Sequence, residues 1–334
     1  MAALFLITSG TGIALRAAPV AMNGQISLRP LTPQEKKDYA LPNAQLAGGV
    51  SAVGVGTPVY VDALVNIALA PSNITSVTWV LTNRPAGSTV ELQASPLGAN
   101  VPPYKMADRA SLQVAGRTML LPDLSGQYEV VVTIVTAGSG TTNLTTKITA
   151  GTYLGAQTCA LCHSGGLVAG NTYTPWTGTL HAHAFEEAIN GVSTDHFTSR
   201  CISCHVVGFD TNALAANGGW DDIATQLGWT FPTNVSNTNW SSMPQVLKNV
   251  SNVQCESCHG PGSEHAYALG NTNLSNWPRI GVTFAAGACS QCHDSLTHHY
   301  KSAEFNNSRH AVATRTPSGP NRLACVRCQC CQFN

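Results

Sequence analysis

Four short stretches of the chain have two cysteines three positions apart and a histidine directly after the second: CALCH, CISCH, CESCH and CSQCH. Two thiols one helical turn apart can each form a thioether with a vinyl group of a porphyrin, and the adjoining imidazole can then bind the iron. Structural zinc, a redox dithiol or a disulfide are the other uses of such thiol pairs. None of these requires a histidine after every pair, so the repeated pattern favours c-type haem.

The four motifs predict four covalently attached haems, each with one proximal histidine. The predicted attachment residues are Cys159, Cys162, Cys201, Cys204, Cys255, Cys258, Cys289 and Cys292. The predicted proximal iron ligands are His163, His205, His259 and His293.

The sixth position of each iron needs a second ligand, and histidine is the residue in good supply. Seven further histidines follow residue 158, whereas the same half of the chain contains one methionine, Met243. Bis-histidine ligation is therefore the economical prediction. His181 and His183, two apart on a predicted helix, point about 200° apart and cannot both face one iron.

The end of the chain departs from this pattern. Cys325 and Cys328 have the spacing of a motif, but Gln329 stands where histidine belongs, and Cys330 and Cys331 follow. Glutamine is a poor iron ligand, so a fifth haem is doubtful. A truncated or frame-shifted gene would give this ending, and so would a tail that carries disulfides.

Residues 151 to 334 resemble the multihaem c-type cytochromes that carry electrons in the periplasm or outside the cell, including the polymerising tetrahaem nanowire type. The resemblance rests on the four motifs and on WTGTLHAHAF, CESCHGPGSEH and CHDSLTHHYKSAEFNNSRHA. It implies that the distal ligands are His181, His265, His299 and His310. His183 is then a surface or propionate partner, and His196 is a packed or solvated histidine.

His265 follows its own motif by six residues, but a Gly-Pro-Gly turn intervenes. About 20 Å of extended chain could reach around the porphyrin. The turn makes that path unfavourable, so we expect His265 to bind the haem of a neighbouring motif.

Composition divides the chain at about residue 151 and limits its partners. All 12 cysteines and 11 histidines lie at or beyond Cys159, and the formal net charge is zero. A neutral chain has no field that recruits nucleic acid or an anionic membrane. No segment approaches the roughly 20 apolar residues of a membrane span. The apolar first 22 residues suggest a degraded or truncated export signal or an apolar tail, so we expect an exported, periplasmic or cell-surface protein.

The first half predicts an all-β domain over residues 46–150, preceded by a lead-in over residues 1–45. Val77, Trp79 and Leu81 alternate along one predicted strand, and Tyr128 to Ile134 alternate along another. Trp79 together with Asp123-x-x-Gly126-x-Tyr128 resembles the tyrosine corner of immunoglobulin-like modules, which implies a two-sheet sandwich without a cysteine pair. A spacer or adhesion module is the favoured role of this domain.

The predicted fold is therefore multidomain: an immunoglobulin-like sandwich followed, over residues 151–334, by loops and short helices packed around haems that supply the missing apolar core. Electron transfer through closely spaced low-spin haems to redox partner proteins, with self-association into a filament as a sharper form, is the favoured function. The alternative is a multihaem oxidoreductase that reduces a nitrogen or sulfur oxyanion at an open iron.

Overall fold

The computed structural model of the protein describes residues 21–104, 112–138, 140–166, 168–210, 216–268, 277–283 and 286–294. Within them, seven strands precede most of the helices. The strands are β1 Gly24–Arg29, β2 Ala52–Gly54, β3 Val59–Asn66, β4 Ile74–Asn83, β5 Leu112–Leu120, β6 Gly126–Thr136 and β7 Gly140–Gly151. One short helix, α1 Pro33–Asp38, lies between β1 and β2.

The strands form two sheets that pack against each other around shared apolar residues. One sheet has the order β1-β3-β5 and the other β2-β7-β6-β4, and every pairing is antiparallel except that of β2 with β7. Val61 and Leu120 of the first sheet pack with Tyr128, Val130 and Ile148 of the second. The predicted inward face of β6 is confirmed, because Tyr128, Val130, Val132 and Ile134 are all fully buried. The assignment to the immunoglobulin-like class stays a prediction.

The loop before β6 holds the predicted tyrosine corner. The Tyr128 hydroxyl donates to the carbonyl oxygen of Leu124 at 2.8 Å and lies 3.0 Å from the Asp123 carboxylate. Asp123 also accepts from the Ser88 hydroxyl and the Thr89 N–H. Burial raises the pKa of Asp123, but these hydrogen bonds outweigh it and bring the pKa to about 2.

The segment predicted as a lead-in contributes a strand of its own. β1 pairs with β3 from Gly24 opposite Val65 to Arg29 opposite Tyr60. Ile26 and Leu28 alternate toward the shared core, and Arg29 is buried with its guanidinium 2.8 Å from Glu35. The strand was missed because only two apolar residues alternate before the proline-containing run that follows.

Short helices separated by loops make up the second half. They are α2 Ala156–His163, α3 Tyr173–Thr177, α4 Ala184–Ile189, α5 Ile202–His205, α6 Trp220–Leu227, α7 Asn239–Ser242, α8 Gln245–Lys248, α9 Cys255–His259, α10 Ser263–Tyr267 and α11 Gly287–His293. Turns of 3-10 helix cover Leu180–His183 and Ser199–Cys201. No helix in the described ranges is long and apolar enough to cross a membrane.

This half also has an apolar core of its own, which the sequence analysis did not expect. Phe185, Phe197, Trp220 and Leu247 are buried in one cluster, and Phe185 contacts the other two aromatic rings of this set at 5.6 and 6.0 Å between centroids. Met243 lies in the same cluster with 4% of its surface exposed. The core was missed because its members are spread over loops and short helices, where no period of apolar residues is visible.

The two halves are in direct contact. The Ser263 side chain accepts from the N–H of Thr152, just after β7, and the Tyr104 hydroxyl lies 3.2 Å from the Ser290 hydroxyl of α11. Gly260, which ends α9, lies so close to Ala52 that a Cβ there would sit 2.1 Å from the Ala52 carbonyl oxygen. The β-sheet half therefore contacts the helices of the third and fourth motifs.

Replacing Gly208 by alanine should lower the thermal unfolding midpoint of the haem-loaded protein much more than replacing Gly228. Both glycines have positive φ, +70° and +62°, so each replacement adds strain of about 1 kcal/mol. Only at Gly208 would the new Cβ meet a neighbour, at 2.4 Å from the Tyr153 ring, whereas nothing lies within 4 Å at Gly228. Overpacking adds about 1–3 kcal/mol. Equal losses of stability in the two variants would contradict the packing of Tyr153 against Gly208.

Candidate functional site

Each of the four motifs lies on a short helix, as thioether attachment requires. The first motif lies on α2, the second on a 3-10 turn that continues into α5, the third on α9 and the fourth on α11. Residues three apart on a helix share one face, so both cysteines of each motif can reach the same porphyrin edge. The helix ends at or next to the motif histidine in every case.

The motifs contact one another in an order that differs from their order along the chain. Cys159 of the first motif interacts with Cys255 of the third. The Cys292 thiol of the fourth lies 3.7 Å from the Cys204 carbonyl oxygen of the second, and Cys258 of the third is an electrostatic neighbour of Cys289 of the fourth. The spatial order is therefore first, third, fourth, second.

These contacts change the acidity of the thiols. The hydrogen bond from Cys159 lowers the pKa of Cys255 to about 7, against the opposing effect of burial. The same interaction and burial raise the pKa of Cys159. One thiol of each contacting pair is thus the more acidic, since Cys204 also has its pKa lowered to about 7, by Cys292.

Two proximal histidines are held by backbone carbonyl groups at Nδ1. His205 Nδ1 lies 3.1 Å from the Ala184 carbonyl oxygen, and His259 Nδ1 lies 2.8 Å from that of Gly281. The N–H of Gly281 donates in return to the carbonyl oxygen of His259 at 2.7 Å. A proton fixed on Nδ1 leaves the lone pair on Nε2, the nitrogen that then binds a metal.

His163 of the first motif faces His265, which lies on α10 just after the third motif. Their ring centroids are 6.5 Å apart. Two metal–nitrogen bonds of about 2 Å each, added to the distance from each bonded nitrogen to its ring centre, give about 6 to 6.5 Å, so the two rings would fit a metal held by both. His265 Nδ1 lies 3.0 Å from the Pro278 carbonyl oxygen, so its Nε2 is also the nitrogen left for a metal.

His293 of the fourth motif faces His181 in the same manner. The centroids of these two rings are 6.0 Å apart. The backbone of His181 is held in turn, because its carbonyl oxygen accepts from the N–H of Val253 at 3.1 Å. Both facing pairs therefore join a motif to a histidine from a distant part of the sequence.

The ring nitrogens of the other two described histidines contact protein groups. His183 Nε2 lies 3.0 Å from the Thr177 carbonyl oxygen, and its Nδ1 lies 3.7 Å from the Glu186 carboxylate. His196 is 77% exposed and contacts its neighbours Thr194 and Asp195. Neither arrangement leaves the imidazole aimed at one of the motifs.

The predicted ligands His299 and His310, and the tail from Cys325 to Cys331, lie outside the described residues. The same is true of His298. Met243 is buried in the apolar cluster, which also includes Ile202 of the second motif.

Large apolar side chains stand exposed beside the motifs, and they fit a porphyrin. Leu161, between the first two cysteines, is 84% exposed, and Leu180, directly before His181, is 82% exposed. Tyr267 on α10 and Val282 beside Gly281 are exposed as well. These side chains would contact the apolar edge of a haem attached at the motifs.

Gln254 and Glu256, on either side of Cys255, contribute hydrogen bonds to the site, and the sequence does not single them out. Glu256 is buried and accepts hydrogen bonds from the N–H groups of Leu154, Gly155 and Gly262. Gln254 accepts from the N–H of Ala156 at 2.5 Å. Burial raises the pKa of Glu256, and the three N–H groups oppose that rise. A charged residue inside a Cys-x-x-Cys motif was the only hint available.

A comparison with protein families found one relevant match. The family described as cytochrome c554 and c-prime matches residues 158–222, which include the first and second motifs and His181. No curated protein matches the chain. The match supports a c-type cytochrome, with covalently bound haem iron and haem-based electron transfer.

Proposed function

We propose that the chain is a tetrahaem electron carrier in which paired histidines saturate the iron atoms. The observation that carries the proposal is the facing of His163 with His265 and of His181 with His293, at centroid distances suited to a metal between them. When bound, haem supplies an iron centre that gains and loses one electron. The histidine pairs would hold the iron from both imidazoles and so would leave no site for a substrate.

The spatial order of the motifs supports a conduit. Cysteines of successive motifs in the order first, third, fourth, second contact one another or are electrostatic neighbours. Attachment points so close hold their cofactors close, as transfer between them requires. We propose that His299 and His310 supply the remaining two distal ligands, opposite His205 and His259.

The competing function is a multihaem oxidoreductase acting on a small oxyanion, which needs an iron with an open position and donors around it. Both facing pairs that the structure describes argue against an open position at the first and fourth motifs. We further propose export, which is typical of c-type cytochromes, and an immunoglobulin-like class for the β-sheet half. The redox partner proteins and assembly into filaments stay predictions.

The intact, mature protein should carry the mass of four haem groups in addition to its polypeptide. Its pyridine haemochrome spectrum should show that both vinyl groups of each haem are saturated, because every motif has two cysteines. Five haems would show that Cys325 and Cys328 form an attachment site despite Gln329. Bound zinc and no haem would contradict the assignment.

His265→Ala should convert one haem of the four from low spin to high spin. The imidazole opposite His163 is then lost, so carbon monoxide should bind to the reduced protein at about one haem in four. Electron paramagnetic resonance of the oxidised protein and a carbon monoxide titration measure the two effects. Removing the first motif in the same variant should abolish the new high-spin signal, because both changes act on one haem.

His183→Ala is the matched control, since its imidazole is two residues from His181 and bonds to Thr177 and Glu186 instead. Its spectra should be those of the unmutated protein. A stoichiometric high-spin haem in the unmutated, fully loaded protein would contradict the saturated carrier and favour the oxidoreductase.

A further inference from the structure

Glu256 connects the two helices that bear the facing imidazoles of the first haem site. Its Oε2 accepts from the N–H of Gly155 at 2.7 Å and of Leu154 at 3.0 Å, directly before α2. Its Oε1 accepts from the N–H of Gly262 at 2.6 Å, directly before α10. Helix α2 ends at His163, and α10 contains His265.

The carboxylate is well placed to fix this geometry. Glu256 is 3% exposed, so its hydrogen bonds do not compete with bulk water. Gln254 strengthens the same junction, because its side chain accepts from Ala156 and donates to the carbonyl oxygens of Asn249 and Ser251. Ser263 adds a third link through the N–H of Thr152.

The backbone is tightly packed where α2 and α10 begin. A Cβ at Gly155 would lie 2.3 Å from the Asn249 carbonyl oxygen, and one at Gly262 would lie 3.2 Å from Glu256 Oε1. The start of α2 can therefore shift little toward Asn249 without a clash. The hydrogen bonds to Glu256 restrain it from moving the other way.

We propose that Glu256 is a positioning residue that sets the separation of His163 and His265 across the iron of the first haem. The inference rests on the proposed bis-histidine ligation. A metal–nitrogen bond tolerates a displacement of a few tenths of an ångström. Because the carboxylate accepts hydrogen bonds at the starts of both α2 and α10, it limits the movement of these helices relative to each other.

A purely structural role for the buried carboxylate would have a different signature. Loss of its hydrogen bonds would then lower the unfolding midpoint and leave each iron with both imidazoles. Positioning instead predicts an effect confined to one haem, at the site whose two helices Glu256 joins.

The test uses the haem-loaded Glu256→Gln protein. Glutamine has the same shape, but its NH₂ group would face backbone N–H donors, so the junction should open. We expect a high-spin signal from one haem of the four and carbon monoxide binding at that haem alone, while the other three stay low spin. Glu264→Gln, on α10 beside His265, is the matched control and should keep four low-spin haems.

The variants separate the two proposals. If His265→Ala itself gives no high-spin haem, the ligation fails and the positioning role fails with it. If His265→Ala gives one and Glu256→Gln lowers the unfolding midpoint but keeps four low-spin haems, only the positioning role is overturned. High spin at several haems in Glu256→Gln would likewise overturn it, since that indicates general disorder.

Glu256→Asp provides the second measurement should the glutamine variant fail to fold. Aspartate keeps the charge but is one methylene shorter, so it cannot reach both helix starts. We expect a smaller high-spin fraction at the same single haem, and Glu256→Asp/His265→Ala should show no more high-spin haem than His265→Ala alone. Four low-spin haems in Glu256→Asp, or a second high-spin haem in the double variant, would overturn the proposal.

Discussion

One constraint links distant parts of the helical half: two pairs of imidazoles lie with their ring centroids 6.5 and 6.0 Å apart, a separation that suits a metal held by both rings of a pair. The motif supplies one imidazole of each pair, because the histidine follows the second cysteine. The other must come from elsewhere, and His265 and His181 come from loops and helices far along the chain from the motifs that they face. Much of the irregular backbone in this half serves to bring such pairs together.

Backbone carbonyl groups orient several of these imidazoles, because the short helices offer little packing area of their own. The carbonyl groups of Ala184, Gly281 and Pro278 each accept from the Nδ1 of a candidate ligand imidazole. A carbonyl oxygen fixes both the tautomer and the ring orientation, so the metal-binding nitrogen is selected before the metal arrives. The apolar cluster around Phe185 and Trp220 gives the loops a rigid base from which to present these groups.

The sequence predicts the attachment residues from their spacing alone, because covalent chemistry fixes that spacing locally. It also indicated the alternating face of β6. It could not show that α2 adjoins α9 rather than the second motif, since that depends on hydrogen bonds between Glu256 and backbone N–H groups a hundred positions away. The sequence does not predict strand β1 or the apolar cluster for a related reason: both form only through contacts between residues that are distant in sequence.

The spatial order of the motifs has a consequence for biogenesis. If the polypeptide emerges amino terminus first from an export channel, the first motif is available for maturation long before His265 follows it. If His163 and His265 bind one iron as proposed, the nascent chain lacks the second imidazole during that interval and is open to small ligands and to oxidants. Residues 164–264 must all be delivered before α10 can supply that imidazole. Slow translocation of this loop would therefore lengthen the period in which an immature chain is chemically vulnerable, and the rate of export becomes a determinant of yield.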